Sequence, residues 1–241
     1  MKKIIIVSTC FFLISASNLF AQKDRIEHLP NVDKKKLHFA YYLGLNKKGF
    51  KVTYNPSNSL VIDENSDYIS VEESLGFNIG LVVGYNLNEN ISVRFEPGLS
   101  SNTKTLTYDE DVVGGLSPSN VREIPGTYLR LPLLMKLSTN RLDNMRAFVI
   151  GGVSYDYNFS SNQNNPDDNT SGQFRMKQSN FMYEVGLGVD IYLQWFKFSP
   201  SIRGIFAINN ELVNDDIPTS PFTAPVDYLG TRGIFLNFTF Q

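Results

Sequence analysis

Apolar and polar residues alternate with a period of two along most of this chain, in runs long enough for a strand to cross a bilayer. Leu75, Phe77, Ile79, Leu81, Val83 and Tyr85 alternate with Gly76, Asn78, Gly80, Val82 and Gly84. Phe181, Tyr183, Val185, Leu187, Val189 and Ile191 alternate with Met182, Glu184, Gly186, Gly188 and Asp190. Leu129, Leu131, Leu133, Met135 and Leu137 alternate with Arg130, Pro132, Leu134 and Lys136. Shorter runs of the same kind cover 37–45, 91–95, 196–206 and 234–240. Residues 147–159 read as a strand of ambiguous phase, because either Phe148 and Ile150 or Val149, Val153, Tyr155 and Tyr157 could form its apolar face. The pattern predicts eight strands and no long amphipathic helix.

The connections alternate in length. Short turns are expected at 86–90, 138–145 and 193–195, and long polar stretches at 47–73, 109–122, 160–180 and 210–230. Outer-membrane barrels have this asymmetry, with short turns in the periplasm and long loops outside. Both termini are then periplasmic. A soluble barrel would alternate too, and volume decides between them. The interior of an eight-stranded barrel is only just filled by side chains, so it cannot take five or six large apolar residues from every strand. The opposite face is rich in glycine (Gly44, Gly76, Gly80, Gly84, Gly98, Gly186, Gly188), which suits a crowded lumen. The expected fold is therefore all-β, an eight-stranded antiparallel up-and-down transmembrane β-barrel with its apolar face toward lipid, which satisfies the backbone without water. Thr231-Arg232-Gly233-Ile234-Phe235-Leu236-Asn237-Phe238, extended by Phe240, fits a last strand read by barrel-insertion machinery.

Composition agrees with a single domain, since the 241 residues are 42% apolar and 19% charged. Lys2 and Lys3, an apolar run over 4–14 and a small-residue end at Ala21-Gln22 make a secretory leader, cleaved after Ala21. The run is too short for a membrane-spanning helix. Cys10, the single cysteine, lies within it. A lipoprotein signal at Cys10 is disfavoured, because Val7-Ser8-Thr9 is a poor lead-in and too little apolar length would precede the cut. The expected layout is a signal peptide over 1–21, a periplasmic segment over 22–36 and the barrel over 37–241. The mature chain would have no thiol, disulfide or cysteine metal site. Without Lys2 and Lys3, 20 basic side chains face 24 acidic ones, a balance of −4 that gives no reason to expect nucleic acid.

By the phase of the strands, Arg94, Glu96, Arg130, Lys136, Glu184, Asp190, Lys197 and Arg203 point into the lumen, where charges must pair to offset desolvation. A cross-linked polar core is the expectation, and a lined pore is disfavoured at this strand number. Pro97, Pro132 and Pro200 each remove a ladder donor, so bulges are expected there, with a kink that admits a partner as the functional alternative. Catalysis has little to draw on. The chain has two histidines, His28 and His38, and His38 points inward, away from the lipid-facing surface where a lipid-deacylating triad would have to assemble. Asp109-Glu110-Asp111, Asp167-Asp168 and Asp215-Asp216 lack the spacing of a calcium loop and read as solvated loop tips. Neither metal nor cofactor is expected. Trp195, in a short turn beside Tyr192 and Phe196, is placed in the interfacial aromatic belt.

The segment Leu29-Pro30-Asn31-Val32-Asp33-Lys34-Lys35-Lys36-Leu37-His38-Phe39, followed by Tyr42-Leu43-Gly44-Leu45-Asn46 and Phe50, resembles the opening of the PorT (SprT) family, outer-membrane barrels of type IX secretion and gliding in Bacteroidetes. Arg94-Phe95-Glu96-Pro97-Gly98 and Tyr128-Leu129-Arg130-Leu131-Pro132-Leu133-Leu134-Met135-Lys136 resemble its two mid-barrel segments, though these also look like a broader superfamily of small barrels. The resemblance implies a non-enzymatic accessory needed for export of proteins with C-terminal sorting domains. Its partners would be outer-membrane lipid and other secretion-system proteins. It implies no catalytic residue, and the positions it singles out are Pro30, Asp33, Lys36 and His38. A charged lead-in to the first strand would account for them equally. The alternative is a structural or adhesive barrel acting through its outer loops.

Overall fold

The computed structural model describes residues 27–56, 68–109, 120–167 and 169–241. The leader, Cys10 and Glu110-Asp111 lie outside the described residues, as does Asp168. Ten strands are present among the described residues: β1 (Leu37–Tyr54), β2 (Ile69–Glu73), β3 (Leu75–Asn86), β4 (Ile91–Phe95), β5 (Gly98–Tyr108), β6 (Val121–Ser138), β7 (Met145–Asn158), β8 (Ser179–Tyr192), β9 (Lys197–Ala207) and β10 (Val226–Phe240). All pairings are antiparallel, and the helical content among the described residues is one 3-10 turn, Asn169–Ser171.

Eight strands close into one ring. β1 pairs with β10 on one side and β3 on the other, which removes the free edge. β2 runs on into β3 and β4 into β5, because both members of each couple share neighbours: β2 and β3 pair with β5, and β4 and β5 pair with β6. At Ser74 the register against β5 slips by one residue, from Glu73 opposite Lys104 to Phe77 opposite Ser101, so a bulge separates β2 from β3.

The bulges expected at Pro97, Pro132 and Pro200 do not form. Phe95 faces Leu133 and Gly98 faces Arg130, so the register is the same on both sides of Pro97 and Pro132. Gly188 opposite Ser201 and Ile191 opposite Phe198 likewise keep one register past Pro200. A proline removes a donor but inserts no residue, so the ladder opens a gap without shifting. Pro97 and Pro132 lie at the same gap, and their carbonyls remain in use, accepting from Leu81 N at 2.9 Å and Glu96 N at 3.1 Å.

The strands run well past the predicted ends. β1 continues to Tyr54, β6 starts at Val121 and β10 at Val226, all inside stretches that the alternation marks as loops. The reason is that polarity inverts along each strand. Over the lower part, Leu75, Leu81 and Leu187 point outward and Asn78, Arg94 and Glu184 inward. Toward the long-loop end the inward residues become apolar (Phe50, Leu106, Tyr108, Ile124, Leu229) and the outward ones polar (Lys51, Thr105, Glu123, Arg232). The phase of β7 resolves the same way: Phe148 and Ile150 are buried inward against Leu134, and Val149 and Val153 face out.

Small residues set the lumen's width. A Cβ on Gly80 would lie 2.6 Å from the buried Tyr42 ring and 2.5 Å from the Pro97 carbonyl oxygen. Unboiled protein is expected to migrate as a compact band distinct from the boiled chain. Gly80→Leu should lower the temperature at which that band is lost, since overpacking costs about 1–3 kcal/mol. An unchanged temperature would show that the lumen has room to spare at this level.

Candidate functional site

The candidate site is the lumen with the segment that closes its short-turn end. At mid-barrel, inward residues of five strands form one chain of charges. Glu96, just after β4, accepts from Arg203 on β9 with both oxygens (2.6 and 3.3 Å) and pairs with Arg94 at 2.8 Å. Arg203 reaches Glu184 on β8 at 3.9 Å, Glu184 is bound by Arg130 on β6, and Arg130 donates to Asp156 on β7 at 3.1 Å. Arg130 also stacks 4.4 Å from the Phe235 ring. Three guanidinium groups thus alternate with three carboxylates, each buried to within a few per cent. This satisfies the demand that buried charges be paired.

Lower in the lumen, Lys136 donates to both oxygens of Asp190 at 2.7 Å and lies 3.9 Å from the Phe148 ring, and Ser199 Oγ donates to Asp190 at 2.6 Å. Lys197 does not join this pair. It turns to Asp33 (3.2 Å), which also receives the Tyr192 hydroxyl and lies 3.3 Å from Arg146. Asp33 belongs to the N-terminal segment, which crosses the mouth here. Asn86 fixes its backbone by donating to the carbonyls of Asp33 (3.0 Å) and Lys35 (2.8 Å), and the Asn86 N–H donates to Lys36 O at 2.7 Å. Arg141 holds His28 O at 2.5 Å and stacks 3.9 Å from the Tyr192 ring. Leu29 is held at a φ of 52°, a left-handed conformation unusual for a branched side chain.

All eight lumen charges named from the sequence are buried in the barrel, with Lys197 tied to the N-terminal segment. The four family-motif residues do not form one cluster. Asp33 and His38 line the same polar cavity of about 20 Å³, room for a single water. Pro30 is exposed, and Lys36 is exposed with its backbone in use. Residues the sequence reading missed are Asp156 and Arg146, hidden by the ambiguous phase of β7, and Lys48 and Lys104, which lie beyond the predicted strand ends. Lys104 donates to Thr231 Oγ1 at 2.9 Å, and Lys48 lies 4.4 Å from the Tyr128 ring.

The long-loop end is closed by packing. Phe50, Tyr68, Leu106, Tyr108, Phe174 and Phe222 belong to one buried cluster. The two loops above it join at a bridge between Met176 and Leu212. Asp215, expected as a solvated tip, is instead buried, accepting from Asn169 Nδ2 at 3.1 Å and Ser220 Oγ at 2.5 Å; Asp216 stays exposed and pairs with Arg175 at 3.0 Å. The loop folds inward to cap the apolar cluster and takes Asp215 with it. Among the described residues no group of His, Cys, Asp and Glu could hold a metal. Trp195 is 88% exposed in the turn between β8 and β9.

A closed antiparallel ring with an apolar outer band and a charged, filled lumen defines a small transmembrane β-barrel. Residues 20–213 match the outer membrane protein beta-barrel domain family, and the chain belongs to it. Its place is the bacterial outer membrane, in contact with lipid. Solved structures with similar strand arrangements include Neisserial surface protein A (TM-score 0.45, 10% identity, 85% of this chain and 98% of that one). OprG from Pseudomonas aeruginosa is similar at TM-score 0.46 and 13% identity, covering 84% of this chain and 94% of that one. AlkL, solved in lipid bilayers, is similar at 0.41 and 14%, covering 83% and 89%. No curated protein sequence matches the chain.

Glu96→Ala leaves Arg94 and Arg203 facing each other and should cost about 3–5 kcal/mol, whereas Glu96→Gln with Arg203→Met should cost less than the two single changes together. Urea unfolding from lipid vesicles measures both, and simple additivity would mean that the pair does not act as a unit. Burial raises the Asp33 carboxyl's pKa, but Lys197, the Tyr192 hydroxyl and Arg146 together bring it below the ordinary carboxylate value. The anchor is therefore complete above that ordinary value and is lost as pH falls through the depressed one. Protection of the amides over 28–36 against hydrogen exchange, taken relative to the intrinsic rate at each pH, should be high at neutral pH and low in acid. Asp33→Asn should lower that protection at neutral pH, by roughly tenfold for about 1–3 kcal/mol lost; unaltered protection would show that the backbone contacts alone hold the segment.

Proposed function

We propose that the protein is a sealed, non-enzymatic barrel that serves as an accessory of type IX protein secretion, acting through its surfaces and its N-terminal segment. In this reading the short turns and both termini are periplasmic, and the long loops face outside. The observation that carries it is the filling of the lumen. An apolar cluster including Phe50, Tyr108 and Phe222 closes one end, the Glu96–Arg203 chain the middle and the Asp33 anchor the other end. A barrel so filled has no path for solute, so its work is done by binding. The resemblance of residues 29–50 to the PorT family supports secretion as the setting. Asp33 gives one of the positions it singles out a physical role, that of fixing the segment where a periplasmic partner would meet it.

The adhesive reading draws on a different observation. The loops joined at Met176 and Leu212 form an ordered cap with Asn169 and Asp215 buried beneath it, which would suit presentation of an outer surface. Deleting the gene and assaying the medium for proteins with C-terminal sorting domains separates the two. Secretion should fall sharply and return with the wild-type chain, while Asp33→Asn should restore it only in part. Undiminished secretion on deletion would overturn the accessory role. Planar-bilayer recordings of the purified barrel should show no conductance steps.

A further inference from the structure

On the outer wall toward the long-loop end, β8, β9, β10 and β1 frame a groove of about 560 Å³. Register sets its floor: Tyr183 pairs with Phe206, Phe206 with Arg232, and Arg232 with Gly49, all at outward positions. Tyr183 and Phe206 stack at 5.0 Å with 22° between their planes. Lys51 pairs with Gly230, and Tyr228 lies over Gly230 with its hydroxyl donating to Ala207 O at 2.9 Å. Gly49 and Gly230 carry no side chain of their own; the Glu73 side chain lies over Gly49 and the Tyr228 ring over Gly230, and Lys51 and Arg232 are diagonal neighbours across them. Their backbones are about 7–8 Å apart in this geometry.

Both cations are exposed on the outer wall. Among the described residues neither is in an ion pair, and Glu73 on the same wall is taken by Lys47 at 3.5 Å. The groove also sits at a boundary of polarity. Leu45, Ile234 and Leu236 are the outward aliphatic residues just below it, and Arg232 follows two positions after Gly230 and two before Ile234. An anion that bridges the two cations at this boundary sits where an apolar tail can run down the wall.

We propose that the groove binds a phosphorylated glycolipid headgroup of the leaflet at the long-loop end. Arg232 offers a fork and Lys51 a point charge to the phosphate. The Tyr183 and Phe206 rings support the sugar and the first acyl carbons at the interface, where aromatic rings favour such mixed contact. The choice of a phosphorylated sugar lipid rests on the orientation given above, which makes that leaflet the outer one; it does not rest on the secretion role.

The test uses the whole barrel in phosphatidylcholine nanodiscs doped with bisphosphorylated lipid A, dephosphorylated lipid A or phosphatidylglycerol, with bound lipid counted by native mass spectrometry. Bisphosphorylated lipid A should be retained roughly tenfold better than either of the others, and Lys51→Ala with Arg232→Ala should erase most of that preference. Lys34→Ala with Lys35→Ala, at the opposite end, should leave it unchanged, and the compact band of unboiled protein reports that each variant is folded. Equal retention of the dephosphorylated lipid, equal retention of phosphatidylglycerol, equal binding by the groove variant or displacement by millimolar inorganic phosphate would each overturn the proposal. The arms with wild-type protein decide the matter even if the groove variant does not fold. A secretion defect on deletion with no lipid preference would leave the accessory role standing alone.

Discussion

Closure of the hydrogen-bonded ladder in a ring of eight strands is the constraint on which the rest depends. β10 meets β1 over residues from Tyr41 opposite Phe240 to Tyr54 opposite Val226, and β1 meets β3 from Leu37 to Lys47. No strand edge is left among lipid tails, where an unpaired peptide group would cost several kcal/mol. A ring this small leaves an interior only as wide as the side chains within it. Gly80 and Gly98 are then required by the Tyr42 ring, Gly84 by the His38 ring and Gly188 by Phe148. The same narrowness forces the lumen charges into direct contact, so that Glu96, Glu184 and Asp156 each sit against a guanidinium group.

A single set of strands is solvated in two different ways along its length. In the band below Lys47 and Arg232 the outside is lipid, so the apolar face points out and the inside holds charges. Above it the outside is water, and the same strands turn apolar residues inward, as a soluble barrel would, around Phe50, Leu106 and Tyr108. The change of polarity needs no break in the strand, because the pleat alternates regardless of what occupies it. The slip at Ser74 does change which side chains face in, since Val71 packs with the apolar cluster while Gly76 and Asn78 line the lumen.

This inversion accounts for what the sequence made legible. The eight membrane-level runs and the inward placement of Arg94 or Glu184 could be read from period two alone, because lipid makes one face uniformly apolar. The upper strands could not be read this way. From Lys47 to Tyr54 the apolar positions switch parity, and a stretch containing Lys47, Lys48 and Lys51 looks like a polar loop to any rule that seeks an apolar outer face. Phe148 and Ile150 misled in a related manner. They are apolar residues inside the lumen, where Phe148 faces Lys136 and Ile150 packs on Leu134, so both faces of β7 looked apolar. The role of Asp33 was visible only as a likeness, since its partners Lys197, Arg146 and Tyr192 lie more than a hundred residues away and meet it through closure of the ring.

Charge balance explains why the N-terminal segment is part of the barrel's interior as well as a lead-in. At mid-barrel Arg94, Arg203 and Arg130 are matched by Glu96, Glu184 and Asp156. At the short-turn end the strands supply Lys136, Arg146 and Lys197 but one buried carboxylate, Asp190, and Lys136 takes both of its oxygens. Lys197 and Arg146 would be left side by side in a narrow, poorly hydrated mouth. Asp33 brings the missing negative charge from outside the ring, and Asn86, Arg141 and Tyr192 hold it there. The segment is thus fixed by an electrostatic need of the barrel wall. Anything that drew it away would have to leave two cations uncompensated or replace the carboxylate, so its position is tied to the charge state of the mouth more than to the length or apolarity of the chain before β1.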